Sequence, residues 1–126
     1  MSNDVIAVKQ VPAVGPYSQA VEAGGFVFCS GQIPIDPRTG LLVDSDIGQA
    51  TRRVLDNLML VLAEAGLSLK DVVKTTIFLA DLSDFPVVND VYASYFKAPF
   101  PARATVQVAA LPKGAMIEID AIAVRP

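Results

Sequence analysis

At 126 residues, 52% of them apolar and 18% charged, the chain has the size and composition of one folded domain spanning residues 1–126, not of a disordered segment. A net charge of −3, with no Lys/Arg run longer than the pair Arg52-Arg53, leaves no electrostatic footprint for nucleic acid. One cysteine and no histidine exclude intramolecular disulfides, histidine-based triads and Cys/His zinc sites together.

Met1-Ser2-Asn3-Asp4 lacks the basic stretch that precedes the apolar core of a signal peptide, and no apolar run approaches the roughly 20 residues that span a bilayer. The expectation is a cytoplasmic protein without a membrane partner. Tyr17 to Glu22, Gly24-Gly25 and Phe26 to Ser30 read as two strands joined by a glycine turn. Cys29, inside the apolar run Phe26-Val27-Phe28-Cys29, is expected to be a buried structural thiol. Gly31 to Asp44, with Pro34, Pro37 and Gly40 among polar residues, reads as a loop.

From Ser45 the period changes. Ile47, Ala50, Val54, Leu58, Val61 and Ala65 recur at helical spacing, with Ser45 or Asp46 to cap the start and Gly66 to end it. Val72 to Ala80 reads as a strand; Ser83 then offers a cap for a helix to about Phe96, with Val87, Val88, Val91, Tyr92 and Tyr95 as its apolar set. After the turn chemistry of Lys97 to Pro101 come two strands, about Arg103 to Ala110 and Ala115 to Val124, joined by Leu111-Pro112-Lys113-Gly114. The order ββαβαββ predicts an α+β fold, one layer of two helices on a mixed sheet.

Strand alternation places Arg103, Thr105 and Gln107 on one face of the penultimate strand, and Glu118 and Asp120 on one face of the last. A hairpin centred on the 111–114 loop would set Gln107 opposite Glu118 and Thr105 opposite Asp120, gathering a guanidinium and two carboxylates on one surface. From spacing alone two readings stay open. One is a solvent-facing sheet with an ordinary cross-strand ion pair; the other is an anchor in which Arg103 grips a small carboxylate with two parallel hydrogen bonds while Glu118 positions water.

Read together, Pro101-Ala102-Arg103-Ala104-Thr105-Val106-Gln107-Val108 through Leu111-Pro112-Lys113-Gly114-Ala115-Met116-Ile117-Glu118-Ile119 resembles the signature of the reactive intermediate deaminase family, the RidA or YjgF type. Gly15-Pro16-Tyr17-Ser18-Gln19-Ala20, Ser30-Gly31-Gln32-Ile33-Pro34 and Val73-Lys74-Thr75-Thr76-Ile77-Phe78, with Asn89 following, extend the resemblance over nearly the whole chain. The resemblance implies a chorismate-mutase-like fold, a homotrimer with clefts between subunits, and cofactor-free hydrolysis of small-molecule 2-imino acids to 2-oxo acids and ammonia. By motif, Arg103 would hold the substrate carboxylate and Glu118 would orient the attacking water. Tyr17, Ser30, Gly31 and Asn89 would line the cleft, and Thr105 would contact the reacting end through its backbone.

Two features depart from the pattern. Thr105 stands where many relatives carry cysteine, and the 97–101 segment looks shorter than in many bacterial relatives. Both bear on substrate range. Two rivals belong to other classes: a non-catalytic small-acid-binding or holdase protein of the same fold, and an endoribonuclease or translation inhibitor. The absent histidine and the acidic net charge argue against the ribonuclease.

Overall fold

The structure, a computed structural model, describes residues 4–8 and 11–126. Six strands, β1 (Asp4–Ile6), β2 (Ala20–Ala23), β3 (Phe26–Gln32), β4 (Val72–Leu79), β5 (Ala102–Gln107) and β6 (Ile117–Val124), form one sheet in the order β1-β2-β3-β6-β4-β5. The helices α1 (Ile47–Glu64) and α2 (Phe85–Tyr95) cover one face of it. This is the expected α+β layer on a mixed sheet, since β4 and β5 run parallel and the other pairs antiparallel. It gains β1, a strand too short to announce itself by alternation.

Local chemistry sets the element ends. The Asp46 carboxylate accepts from the Gln49 N–H at 2.8 Å and caps α1, so Asp46, not Ser45, is the cap. Gly66 closes α1 at φ 74°, a conformation that suits glycine. Ser83 does not cap α2: a short 3-10 turn over Leu82–Asp84, capped by Asp81, comes first, and α2 starts at Phe85. Val88, Val91 and Tyr92 are buried as expected, whereas Val87 turns to solvent.

The core lies between the helices and the alternate residues of the strands: Leu55, Leu58 and Leu62 of α1 against Val27, Ile77, Leu79, Ile117 and Ile119. Each such side chain contributes about 1.5–3 kcal/mol on burial. Among the described residues no helix covers the opposite sheet face. Phe26 and Phe28 stand 44% and 45% exposed there, next to Ile122 and Val124 across the β3–β6 ladder.

The expected hairpin of the last two strands does not form. β5 follows α2 and adds to the sheet edge parallel to β4, whose crossover helix requires that direction. The chain then passes the end of β4, where the Val108 N–H donates to the Leu79 carbonyl at 2.9 Å and the Ala80 N–H to the Met116 carbonyl at 3.1 Å. β6 enters between β3 and β4, antiparallel to both. Its every second residue, Ile117, Ile119, Ala121 and Ala123, is buried, which suits a central strand; the Arg-Ala-Thr-Val-Gln run of β5 suits an edge.

Candidate active site

Because β4 separates β5 from β6, the predicted site residues fall into two groups. Arg103 and Thr105 lie on the helix-facing side of β5, whereas Glu118 alternates with the fully buried Ile117 and Ile119 and therefore faces the uncovered side of the sheet. The convergence of Arg103 with Glu118 and Asp120 on one surface of one chain is thus overturned. Gln107 does not meet Glu118 either; its Oε1 accepts from the Leu82 N–H at 2.8 Å.

The first group centres on Arg103. Its Nη1 donates to Oδ1 of Asn89 at 2.9 Å, and its guanidinium carbon stands 4.9 Å from the ring centre of Tyr92 and 5.3 Å from that of Phe85. No described residue offers it a carboxylate within ion-pair distance. An open cavity of about 470 Å³ lies over it, lined by Asn89, Tyr92, Ala93, Phe100, Pro101 and Arg103. A fixed cation with free donors beside an apolar wall is suited to a small organic carboxylate. Thr105, two residues on and opposite Ile77, buries its Oγ1 without a hydrogen-bond partner among the described residues.

The second group surrounds Glu118. Across the β3–β6 ladder Cys29 pairs with Ala121 and Gln32 with Ile119, so Ser30 and Gly31 together oppose Asp120: a β-bulge. The bulge brings the Gly31 backbone under Glu118, where a Cβ on residue 31 would lie 2.8 Å from the Glu118 Cδ. Only glycine leaves the carboxylate that seat. Burial first, and then the neighbouring Asp120 charge, push the Glu118 carboxyl above the ordinary glutamate value. Such a group is a better proton acceptor than a free carboxylate.

Ser30 belongs here too, its Oγ donating to the Ser18 carbonyl at 2.6 Å while its N–H donates to the Gln19 carbonyl at 2.9 Å. These bonds dock the segment that bears Tyr17, whose ring is half exposed and whose hydroxyl takes a long 3.5 Å bond from the Val14 N–H. Two residues outside the predicted site complete the docking. Nε2 of the buried Gln32 donates to Oε1 of the buried Gln19 at 2.8 Å, and Gln19 Nε2 donates to the Val11 carbonyl at 2.7 Å. Both glutamines lie inside the motifs that carry the family resemblance, Gly15 to Ala20 and Ser30 to Pro34, and membership of those motifs is their only signal in the sequence.

Cys29 is buried and its thiol is pushed up to about 12 by burial and by Asp120, so it is no nucleophile at neutral pH. A second cavity, of about 340 Å³ beside Lys70, Tyr95 and Lys97, contains none of the predicted site residues. Among the described residues no cluster of histidine, cysteine, aspartate or glutamate could hold a metal ion, and no helix is long and apolar enough to cross a membrane.

Residues 8–125 match the family model described as Endoribonuclease L-PSP. A RutC family protein of Pyrococcus abyssi is 51% identical over 124 residues, 98% of each chain. The 2-iminobutanoate/2-iminopropanoate deaminase of Homo sapiens is 48% identical over 122 residues, 96% of this chain and 89% of that one. Among solved structures, E. coli TdcF with bound serine superposes with a TM-score of 0.92 at 44% identity, covering 98% of this chain and 99% of its own. Motifs, fold and relatives agree: the chain belongs to the endoribonuclease L-PSP family, the YjgF/RidA group its signature resembles.

Proposed function

We propose that the protein hydrolyses reactive 2-imino and 2-enamino acids, 2-iminobutanoate and 2-iminopropanoate among them, to 2-oxo acids and ammonia, in cytoplasmic homotrimers whose clefts lie between subunits. The observation that carries this is Arg103: a guanidinium with no carboxylate partner among the described residues, tied to Asn89 under an open cavity. A substrate carboxylate supplies the missing counter-charge. Further support comes from relatives 47–48% identical that are named deaminases of these two acids.

The trimer reconciles the two groups. Arg103 and Glu118 face opposite sides of one sheet, so a site that uses both takes Arg103 and Asn89 from one subunit and Glu118, Gly31, Ser30 and Tyr17 from the next. The uncovered face with Phe26 and Phe28 is the surface such an assembly would bury.

In that cleft the protonated imine is already an electrophile, and the reaction needs placement of water more than activation by a metal. Water held by Glu118 adds its oxygen to C2 as the C=N electron pair moves to nitrogen, and the water proton passes to the Glu118 carboxylate. That proton then goes to the amine, the C–N bond breaks with ammonia leaving, and loss of the hydroxyl proton gives the 2-oxo acid. Arg103 holds the carboxylate throughout, and the Thr105 backbone on the edge strand meets the reacting end. A holdase would instead need the Phe26 and Phe28 face free. The test is release of ammonia and 2-oxo acid from freshly generated 2-iminobutanoate: turnover above the uncatalysed rate is expected, and none, with stoichiometric 2-oxobutanoate binding retained, would leave a ligand-binding protein.

A further inference from the structure

Phe85, Asn89 and Tyr92 stand four and three positions apart on α2, one stripe of a helix, and all three meet Arg103. Neither aromatic is among the predicted site residues. Tyr92 is itself immobilised: its hydroxyl shares a 2.8 Å hydrogen bond with the buried Thr75, and its ring stacks on Phe96 with centres 4.4 Å apart. Thr75 lies directly across the β4–β5 ladder from Arg103, so the strand pair that carries the guanidinium also carries the anchor of the ring beside it.

We infer that Tyr92 and Phe85 are positioning residues for the Arg103 clamp: their rings fix the plane of the guanidinium, Asn89 takes one of its donors, and the remaining donors face the cavity before any acid arrives. A planar five-donor fork binds a carboxylate with two parallel bonds only when its plane is right, and an arginine free to rotate gives up that freedom on binding. The packed rings remove that freedom in advance. Attraction between cation and ring adds to the restraint, because the guanidinium meets the electron-rich system of both aromatics. The inference rests on the reading of Arg103 as a carboxylate clamp and adds the parts that aim it.

The test is calorimetric binding of 2-oxobutanoate to the intact protein, beside steady-state kinetics and the side-chain NMR signal of the Arg103 guanidinium. Phe85→Leu keeps apolar bulk and removes a ring; it should weaken binding about tenfold, raise KM in parallel, and leave kcat nearly unchanged. Rotation about the Arg103 Nε–Cζ bond, slow in the wild type, should become fast. Phe85→Tyr restores a ring and should restore affinity. Tyr92→Phe keeps the ring while freeing its tip, and should give a smaller loss that Thr75→Val reproduces without adding to it. If Phe85→Leu melts as the wild type does and binds 2-oxobutanoate as tightly, the inference is overturned. Should Phe85→Leu fail to fold, Tyr92→Phe with unchanged affinity and unchanged guanidinium rotation overturns it instead. A wild type that binds no 2-oxobutanoate, or an Arg103→Ala variant that still binds it, overturns the clamp reading itself.

Discussion

Replacing Gly31 with alanine sets a methyl group against the Glu118 side chain. Gly31 does not adopt a positive φ, so alanine meets no backbone strain there, and the effect comes from where its methyl lands. That methyl would lie 2.8 Å from Cδ and 3.0 Å from Cγ of Glu118, with Oε2 nearer still. Relaxed carbon pairs sit about 3.5–4.0 Å apart, so the carboxylate must retreat by roughly 1 Å. Swinging Glu118 off its rotamer costs about 0.5–1.5 kcal/mol in stability. A catalytic group misplaced by about 1 Å loses on the order of a hundredfold in rate. We therefore expect Gly31→Ala to fold, to melt slightly below the wild type, and to lose about two orders of magnitude in kcat for ammonia release from 2-iminobutanoate. Affinity for 2-oxobutanoate should hardly move, because Arg103 is untouched. In a Glu118→Ala background, where no carboxylate remains to be displaced, the same substitution should add no further loss. Wild-type kcat in Gly31→Ala, or an undiminished second loss in the Glu118→Ala background, would refute the reasoning.

Arg103→Ala should abolish turnover with the melting temperature preserved, and Arg103→Lys should restore little, since two lost charge-assisted bonds amount to about a hundredfold or more in kcat/KM; a variant keeping more than about a tenth of the activity contradicts the clamp. Glu118→Gln should lower kcat and spare 2-oxobutanoate binding, and a matched loss of both would make Glu118 a strut instead. The pH profile carries its own sign: burial and Asp120 raise the folded pKa of Glu118, and the proposed transfer of the water proton requires the ionised form, so kcat should fall on acidification at a pH above the ordinary glutamate range, and Asp120→Asn should move that limb down. For stability the sign reverses, because a raised carboxyl destabilises the fold as pH climbs from the unfolded toward the folded pKa; Glu118→Gln should melt higher at neutral pH and no higher in acid. Thr105→Val removes a buried hydroxyl without a partner among the described residues and should stabilise by about 1 kcal/mol with activity kept, which a side-chain role for Thr105 would not allow.

Periodicity revealed what is local. The apolar stripe of α1, the Asp46 cap signal, the alternation that pairs Arg103 with Thr105 and Glu118 with Asp120, and the buried Cys29 all follow from residues near one another in the chain. Strand order is not local. A short loop between Gln107 and Ile117 favours a hairpin, and nothing in that stretch records that β4, some 30 residues earlier, already occupies the place beside β5. One wrong adjacency moved Glu118 to the wrong side of the sheet relative to Arg103. Val87 misled for a related reason: a helix packed on a sheet edge buries a narrower stripe than its apolar residues suggest. The candidate site residues themselves came from the motifs. The physical reasons for them, such as Gly31 beneath Glu118 and Gln19 against Gln32, exist only once the bulge between β3 and β6 is formed.

The claim that each site joins two copies is tested most directly by mixing two dead variants. Arg103→Ala retains Glu118, and Glu118→Ala retains Arg103; a site built between neighbours is whole wherever an intact Arg103 faces an intact Glu118 from the next subunit. Equal amounts unfolded together and refolded give hybrids in about three trimers of four, each with one whole site in three, so activity should return to about a quarter of the wild-type rate. Each variant refolded alone should stay inactive. A mixture as inactive as its components, in trimers shown by mass to be hybrid, would contradict a site shared between subunits.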